Sequence, residues 1–220
     1  MATKKRKREG QDPLSVKKGK RGMKGEARNR FIQSTELKVN DIASTAYACD
    51  TTGSVTLLNG VAVGDDFTTR DGRQAFMKSV QVKGLINPQD FITDNNLARI
   101  MLVWDSQPNG VIATIAMILN AATSISPTNL NNRERFTILR DKQFAVGFNN
   151  NTATQAQSNS PTVHEYQEYV RLNHKTTYSG TAGTIAEVAT GALLLVTIGN
   201  LAAGSGSTFT AYTRVRFTDH

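Results

Sequence analysis

Ser79-Val-Gln-Val-Lys-Gly-Leu-Ile86 is the stretch on which the reading of this chain turns. Val80, Val82 and Ile86 lie on one side of an extended backbone, and Gln81 and Lys83 lie on the other. Side chains that alternate with period two mark a strand with one buried face and one wet face. The pattern returns in Phe144–Phe148, where Phe144, Val146 and Phe148 share a side. It returns in Thr213–Phe217, where Thr213, Val215 and Phe217 oppose Arg214 and Arg216. Half-buried strands of this kind are commonest in antiparallel sheets.

Two other segments, Ile100–Trp104 and Leu193–Ile198, are apolar almost without interruption. They suit strands covered on both faces, by a second sheet or by a neighbouring subunit. Working outward, strands are expected near 35–46, 75–86, 97–105, 135–139, 142–148, 163–172, 192–199 and 208–217. One short helix is expected at about 111–119, where Ile112, Ile115, Ile118 and Leu119 fall on one face. Asp105-Ser-Gln-Pro-Asn-Gly110 and Asn149-Asn-Asn151 are turn signals. The 26 Thr, 17 Asn and 17 Gly favour β-structure with polar connections. The expected fold is all-β: an eight-stranded antiparallel jelly roll of two packed sheets over residues 31–220. Another sandwich topology would satisfy the same pattern.

The charge divides the chain in two. The 220 residues carry 26 Lys+Arg against 18 Asp+Glu, a net of +8. Residues 1–30 hold 12 of the cations and 3 of the acids, a net of +9. Residues 31–220 hold the remaining 14 and 15, a net of −1. The cations of the first segment are Lys4, Lys5, Arg6, Lys7 and Arg8, then Lys17, Lys18, Lys20, Arg21 and Lys24, then Arg28 and Arg30. Only Leu14, Val16 and Met23 offer apolar surface to bury, and Gly10, Gly19, Gly22 and Gly25 interrupt any helix. A disordered basic N-terminal arm is therefore expected, because burial cannot offset its ordering entropy. Its partner is a nucleic acid, bound through phosphate contacts and counterion release. Nothing fixes a register for reading base edges, so recognition is by charge. Lys4–Arg8 also fits a nuclear-import address.

Composition leaves little room for catalysis or metal. A single cysteine, Cys49, makes neither an intramolecular disulfide nor a thiolate zinc site, and it reads as a buried thiol. His164, His174 and His220 are few and scattered. His164-Glu-Tyr-Gln-Glu168 starts like a zincin helix, but Glu168 stands where the second histidine belongs and the segment reads as a strand. Asp65-Asp66 reads as solvated acids, with a calcium ion at a subunit contact as the alternative. Trp104, at the end of an apolar strand, reads as packing and not as a base-stacking platform. No phosphate-cradling or nucleophile-elbow glycine motif occurs. The charged N-terminus is unlike a signal peptide, and the longest apolar run, Ala192–Ile198, falls short of the ~20 residues that span a bilayer. No catalytic residue, cofactor, metal site or membrane insertion is expected.

Four motifs occur in order along the body. Gly64-Asp-Asp-Phe-Thr-Thr-Arg-Asp-Gly-Arg73 leads into Met77–Ile86. Ala98-Arg-Ile-Met-Leu-Val-Trp-Asp105 precedes the turn to Gly110. Arg135-Phe-Thr-Ile-Leu-Arg-Asp-Lys-Gln-Phe144 and Thr190-Gly-Ala-Leu-Leu-Leu195 follow. This set resembles the coat proteins of circular single-stranded DNA viruses that encode a replication initiator, particularly geminivirus-like and satellite-virus-like capsids. The arm, mixing Lys and Arg, is shorter than the Arg-dense arm of circoviruses.

The resemblance implies a jelly-roll subunit that packs with copies of itself into a small icosahedral shell. It implies a packaged single-stranded DNA genome, with arms pointing inward, and residence in the virion and the host nucleus. Host nuclear-import receptors are further implied partners. The apolar strands and the 120–132 and 149–162 loops are the candidate contact surfaces. Alternatives are the capsid of a small satellite-type RNA virus and a cellular nucleic-acid-binding β-sandwich with a basic tail. A carbohydrate-binding jelly roll has less support, since the single Trp and five Tyr form no cluster in sequence.

Overall fold

The computed structural model describes residues 36–89, 96–147 and 163–219. Nine strands run in chain order: β1 (Lys38–Cys49), β2 (Ser54–Leu57), β3 (Gln74–Asn87), β4 (Asn96–Asp105), β5 (Phe136–Val146), β6 (His164–Tyr178), β7 (Val188–Thr190), β8 (Ala192–Gly199) and β9 (Ser207–Asp219). One sheet has the order β1-β9-β3-β6-β7 and the other β2-β8-β4-β5. Every pairing between these strands is antiparallel. The chain keeps crossing from one sheet to the other, so four principal strands of each face four of the other. That wrapping is a jelly roll, as expected. β7 is a three-residue addition at the edge.

The alternation in the sequence becomes the core. Val80, Val82 and Ile86 of β3 are fully buried, as are Phe209, Val215 and Phe217 of β9. β8 is buried at every position, and β4 at all but one. The second cover over these two strands is neither the opposite sheet nor a neighbouring subunit. Trp104 of β4 looks inward and stacks on His174 of β6, with ring centroids 4.6 Å apart. Arg99, of opposite parity on the same strand, sends its guanidinium to the carbonyls of Ser124 and Ser126. The β4–β5 connection thus folds back over the outer side of the four-stranded sheet, with Ala113, Ile115, Ile118 and Leu119 in the core. The two apolar strands are therefore covered within the subunit, which corrects their reading as contact surfaces.

Three expectations about elements are revised. The segments 135–139 and 142–148 form one strand, β5, and Phe148 lies outside the described residues. The polar run Arg140-Asp-Lys-Gln143 stays in register, pairing with Leu102, Met101, Ile100 and Arg99. β5 is an edge strand, where charged side chains blunt unwanted pairing, so polarity there does not signal a turn. The omitted strands are β2 and β7, whose four and three residues are too few to show a period. The helix shrinks to one turn, Ile115–Ile118, whose buried residues are Ile115 and Ile118.

At the start of β1, Lys38 is buried with its ammonium 2.8 Å from Asp71 and 3.1 Å from Asp219. Burial opposes the charge on Asp219, but the Asp71 N–H and the Lys38 ammonium outweigh it and lower its pKa from 3.8. Burial also opposes the charge on Lys38, and the two carboxylates more than offset it, raising the pKa from 10.5. A lowered carboxyl stabilises the fold above its unfolded pKa, and that stability is lost as pH falls. A raised ammonium stabilises below its unfolded pKa, and that stability is lost as pH rises. The melting temperature is expected to be flat between about pH 5 and 9 and to fall on both sides. Lys38→Met should lower it at neutral pH and flatten the acid limb. An unchanged acid limb in that variant, followed by circular dichroism, would show that the cluster is not responsible.

Candidate functional site

Arginines and acids from the ordered motifs meet across the β4–β5 ladder. Arg99 holds Asp141 in a fork, Nε to Oδ1 at 2.8 Å and Nη2 to Oδ2 at 2.6 Å. At the other end Arg135 holds Asp105 the same way, with both contacts at 2.8 Å. Two bidentate pairs flanking one ladder fix its register, since a slip would break both. Glu168 of β6 bridges the sheets by pairing with Lys142 and with Arg140, the latter at 3.1 Å.

A second polar cluster closes the opposite sheet. The Asn59 amide donates to Thr176 Oγ1 at 2.8 Å and to the Gly191 carbonyl at 2.9 Å, and its oxygen accepts the Leu193 N–H at 2.8 Å. The Tyr178 hydroxyl donates to the Asn59 carbonyl at 2.6 Å. Above the Tyr178 ring, 4.1 Å from its centroid, lies the guanidinium of fully buried Arg70. Arg70 donates to the carbonyls of Val61, Gly72 and Gly180. Gly191 takes φ +77°, and a Cβ there would lie 2.6 Å from Trp104, so this position requires glycine. All four motifs thus supply framework contacts, a role not recognisable from the sequence.

The outer face of the five-stranded sheet has a different character. Across its strands run the rows Tyr212–Lys83–Gln167, Arg214–Gln81–Tyr169 and Arg216–Ser79–Arg171. Asp41 on β1 holds Arg214 bidentately, at 2.7 and 2.6 Å, and accepts a 3.3 Å bond from the Tyr212 hydroxyl. The Arg214 guanidinium is the main cause that lowers the Asp41 carboxyl below its ordinary range. Gln81, Lys83, Tyr212 and Arg214 line a shallow open depression of about 270 Å³.

The sites singled out in the sequence fall as follows. Lys4–Arg8, Lys17, Lys18, Lys20, Arg21, Lys24, Arg28 and Arg30 lie outside the described residues, as do the 149–162 loop and His220. Cys49 is fully buried, and burial pushes its thiol up to about 12, out of the range of a nucleophile. His164 is bonded to the Ala145 carbonyl at 2.8 Å on a strand, and Glu168 is committed to its two cations. Burial lowers the pKa of His174 beneath Trp104. Asp65 and Asp66 lie in an exposed loop closed by the Thr69 hydroxyl. The 120–132 loop exposes two large apolar side chains, Ile125 at 76% and Leu130 at 70%.

Two wrapped antiparallel sheets, with internal polar groups used for framework, define a jelly-roll sandwich. The chain belongs to the geminivirus coat protein/nuclear export factor BR1 family, whose model matches residues 2–220. No curated protein matches it. It is a coat protein of a geminivirus-type single-stranded DNA virus, a structural class of protein whose place is the virion. The satellite RNA virus and cellular alternatives are set aside by this membership.

Proposed function

We propose that the chain assembles with copies of itself into a small icosahedral shell and packages single-stranded DNA through the basic arm at residues 1–30. The observation that carries this reading is the division of charge, +9 in residues 1–30 against −1 in the remainder. A shell of about 60 subunits would bring on the order of 540 net positive charges to encapsidated phosphate. A nearly neutral body crowds against its copies without strong self-repulsion. Ile125 and Leu130 give the body apolar surface for such contacts. Lys4–Arg8 serves as the import signal that brings the subunit, through host import receptors, to the nucleus. No catalytic step belongs to this role.

Electron microscopy of the expressed protein tests the reading. Uniform spherical particles with nuclease-protected single-stranded nucleic acid are expected. A monomer at all concentrations, binding no nucleic acid, would overturn it.

A further inference from the structure

The outer face of the five-stranded sheet concentrates what the body as a whole lacks. The body is net −1, yet Lys83, Arg171, Arg214 and Arg216 stand in three adjacent rows of this one face, opposed there by Asp41. Glu165 lies a row further on, paired with Leu85. Two tyrosines stand among the cations, Tyr169 at 52% exposure and Tyr212 at 45%. The alternate residues on these strands, including Val80, Val82, Val170 and Val215, are buried, so the exposed set is fixed by the pleat. Asp41 anchors Arg214 and touches the Tyr212 hydroxyl, which orients the edge of the depression before any ligand arrives.

Cations beside exposed rings suit a ligand with phosphates and flat bases together. The spacing of the rings selects its form. Tyr212 and Tyr169 are two strands apart and two residues offset, which puts their Cα atoms roughly 12 Å apart. Bases in a duplex strand are stacked about 3.4 Å apart and offer no free faces along the helix. An extended single strand does offer them, and its phosphates would pass Lys83 on the strand between the rings, with Arg214 next to Tyr212 and Arg171 next to Tyr169 on its far side.

The geometry points to this sheet face as a second nucleic-acid site, specific for single strands, with Tyr169 and Tyr212 as stacking platforms and Lys83, Arg171 and Arg214 as phosphate contacts. It rests on the proposed packaging function and divides the labour within it. The arm binds any polyanion by charge, and the sheet face prefers the single-stranded form by stacking. The number of residues involved is small, so the affinity of the face alone is modest.

The test measures the full-chain protein against one labelled strand of mixed sequence, alone and annealed to its complement, at raised salt where arm contacts are screened. The Tyr169→Ala/Tyr212→Ala variant should lose roughly tenfold or more of its single-strand affinity per ring, with duplex affinity unchanged. Tyr169→Phe/Tyr212→Phe keeps the rings and should bind as the parent does, which guards against misreading a folding defect. Lys83→Gln/Arg171→Gln should lower the salt slope on single strands by about 0.7 for each charge removed. Equal loss on single strand and duplex, or no loss in a folded alanine variant, overturns the site while leaving arm-driven packaging intact. A change confined to subunit association also overturns it, and identifies the face as a contact between copies. Absence of all nucleic-acid binding by the parent would instead defeat the packaging reading itself.

Discussion

Arg70→Met is expected to be among the most destabilising single substitutions in the body, lowering stability by about 3–6 kcal/mol. Arg70 is fully buried, and its guanidinium satisfies the carbonyls of Val61, Gly72 and Gly180 while lying over the Tyr178 ring. No carboxylate among the described residues pairs with it, so its carbonyl partners carry the compensation for burying the charge. Methionine fills much of the volume but donates nothing. The buried Val61 carbonyl would then be left dry, at about 1–3 kcal/mol before relaxation, and the part-buried carbonyls of Gly72 and Gly180 would lose their charged donor. For a domain whose whole stability is about 5–15 kcal/mol, the loss corresponds to a fall in melting temperature of roughly 10 °C or more. Arg70→Lys should also fail to restore it, because an ammonium cannot reproduce the planar fork. Thermal unfolding by circular dichroism decides the matter, and a Met variant melting within about 2 °C of the parent would refute the argument. The neighbouring Asn59 network should feel the change, since Tyr178 touches both groups. A double-mutant cycle of Arg70→Met with Tyr178→Phe should therefore be non-additive.

That example shows where legibility from sequence ends. The strands carrying the core were readable because β3 and β9 bury alternate residues, and a period of two is a local property. The apolar character of β4 and β8 was readable too, but the identity of their second cover was not. It depends on Arg99 reaching Ser124 and Ser126, residues 25 and 27 positions away. The two halves of β5 look separate in sequence because a polar run inside an edge strand looks like a turn until its partners Asp141–Arg99 and Lys142–Glu168 are known. β2 has too few residues to show any period. The Gly64–Arg73 motif supported the family resemblance, but nothing local distinguishes a buried Arg70 from a solvated one. The sheet-face tyrosines look dispersed because they are 43 positions apart in sequence, as their numbers 169 and 212 show; strand pairing through β3 brings them onto one surface. The division of charge was legible in full, because it needs no partner in the fold.

Deleting residues 2–30 is expected to leave shell formation possible and to remove nearly all packaged nucleic acid. The deletion takes away 12 cations and leaves a body of net −1, which has no general attraction for a polyanion. In solution the effect should appear as a salt dependence. If all 12 cations contact phosphate, the slope of log K against log salt on single strands is about −8 for the arm alone. Replacing Lys4, Lys5, Arg6, Lys7 and Arg8 with alanine should reduce that slope by about 3.5, whatever the sequence of the strand. The same five-residue variant should lose nuclear accumulation in a labelled-protein import assay, which separates the address from the grip. Two features distinguish this outcome from a general loss of folding. The deletion variant should keep the parent's melting temperature, because residues 2–30 offer only Leu14, Val16 and Met23 as apolar surface to bury. It should also keep a weak, salt-tolerant preference for single strands, supplied by Tyr169 and Tyr212 on the sheet face. Particles of the deletion variant that still protect a full complement of nucleic acid, read by ultraviolet absorbance ratio after nuclease treatment, would place the grip on the genome elsewhere than in the arm.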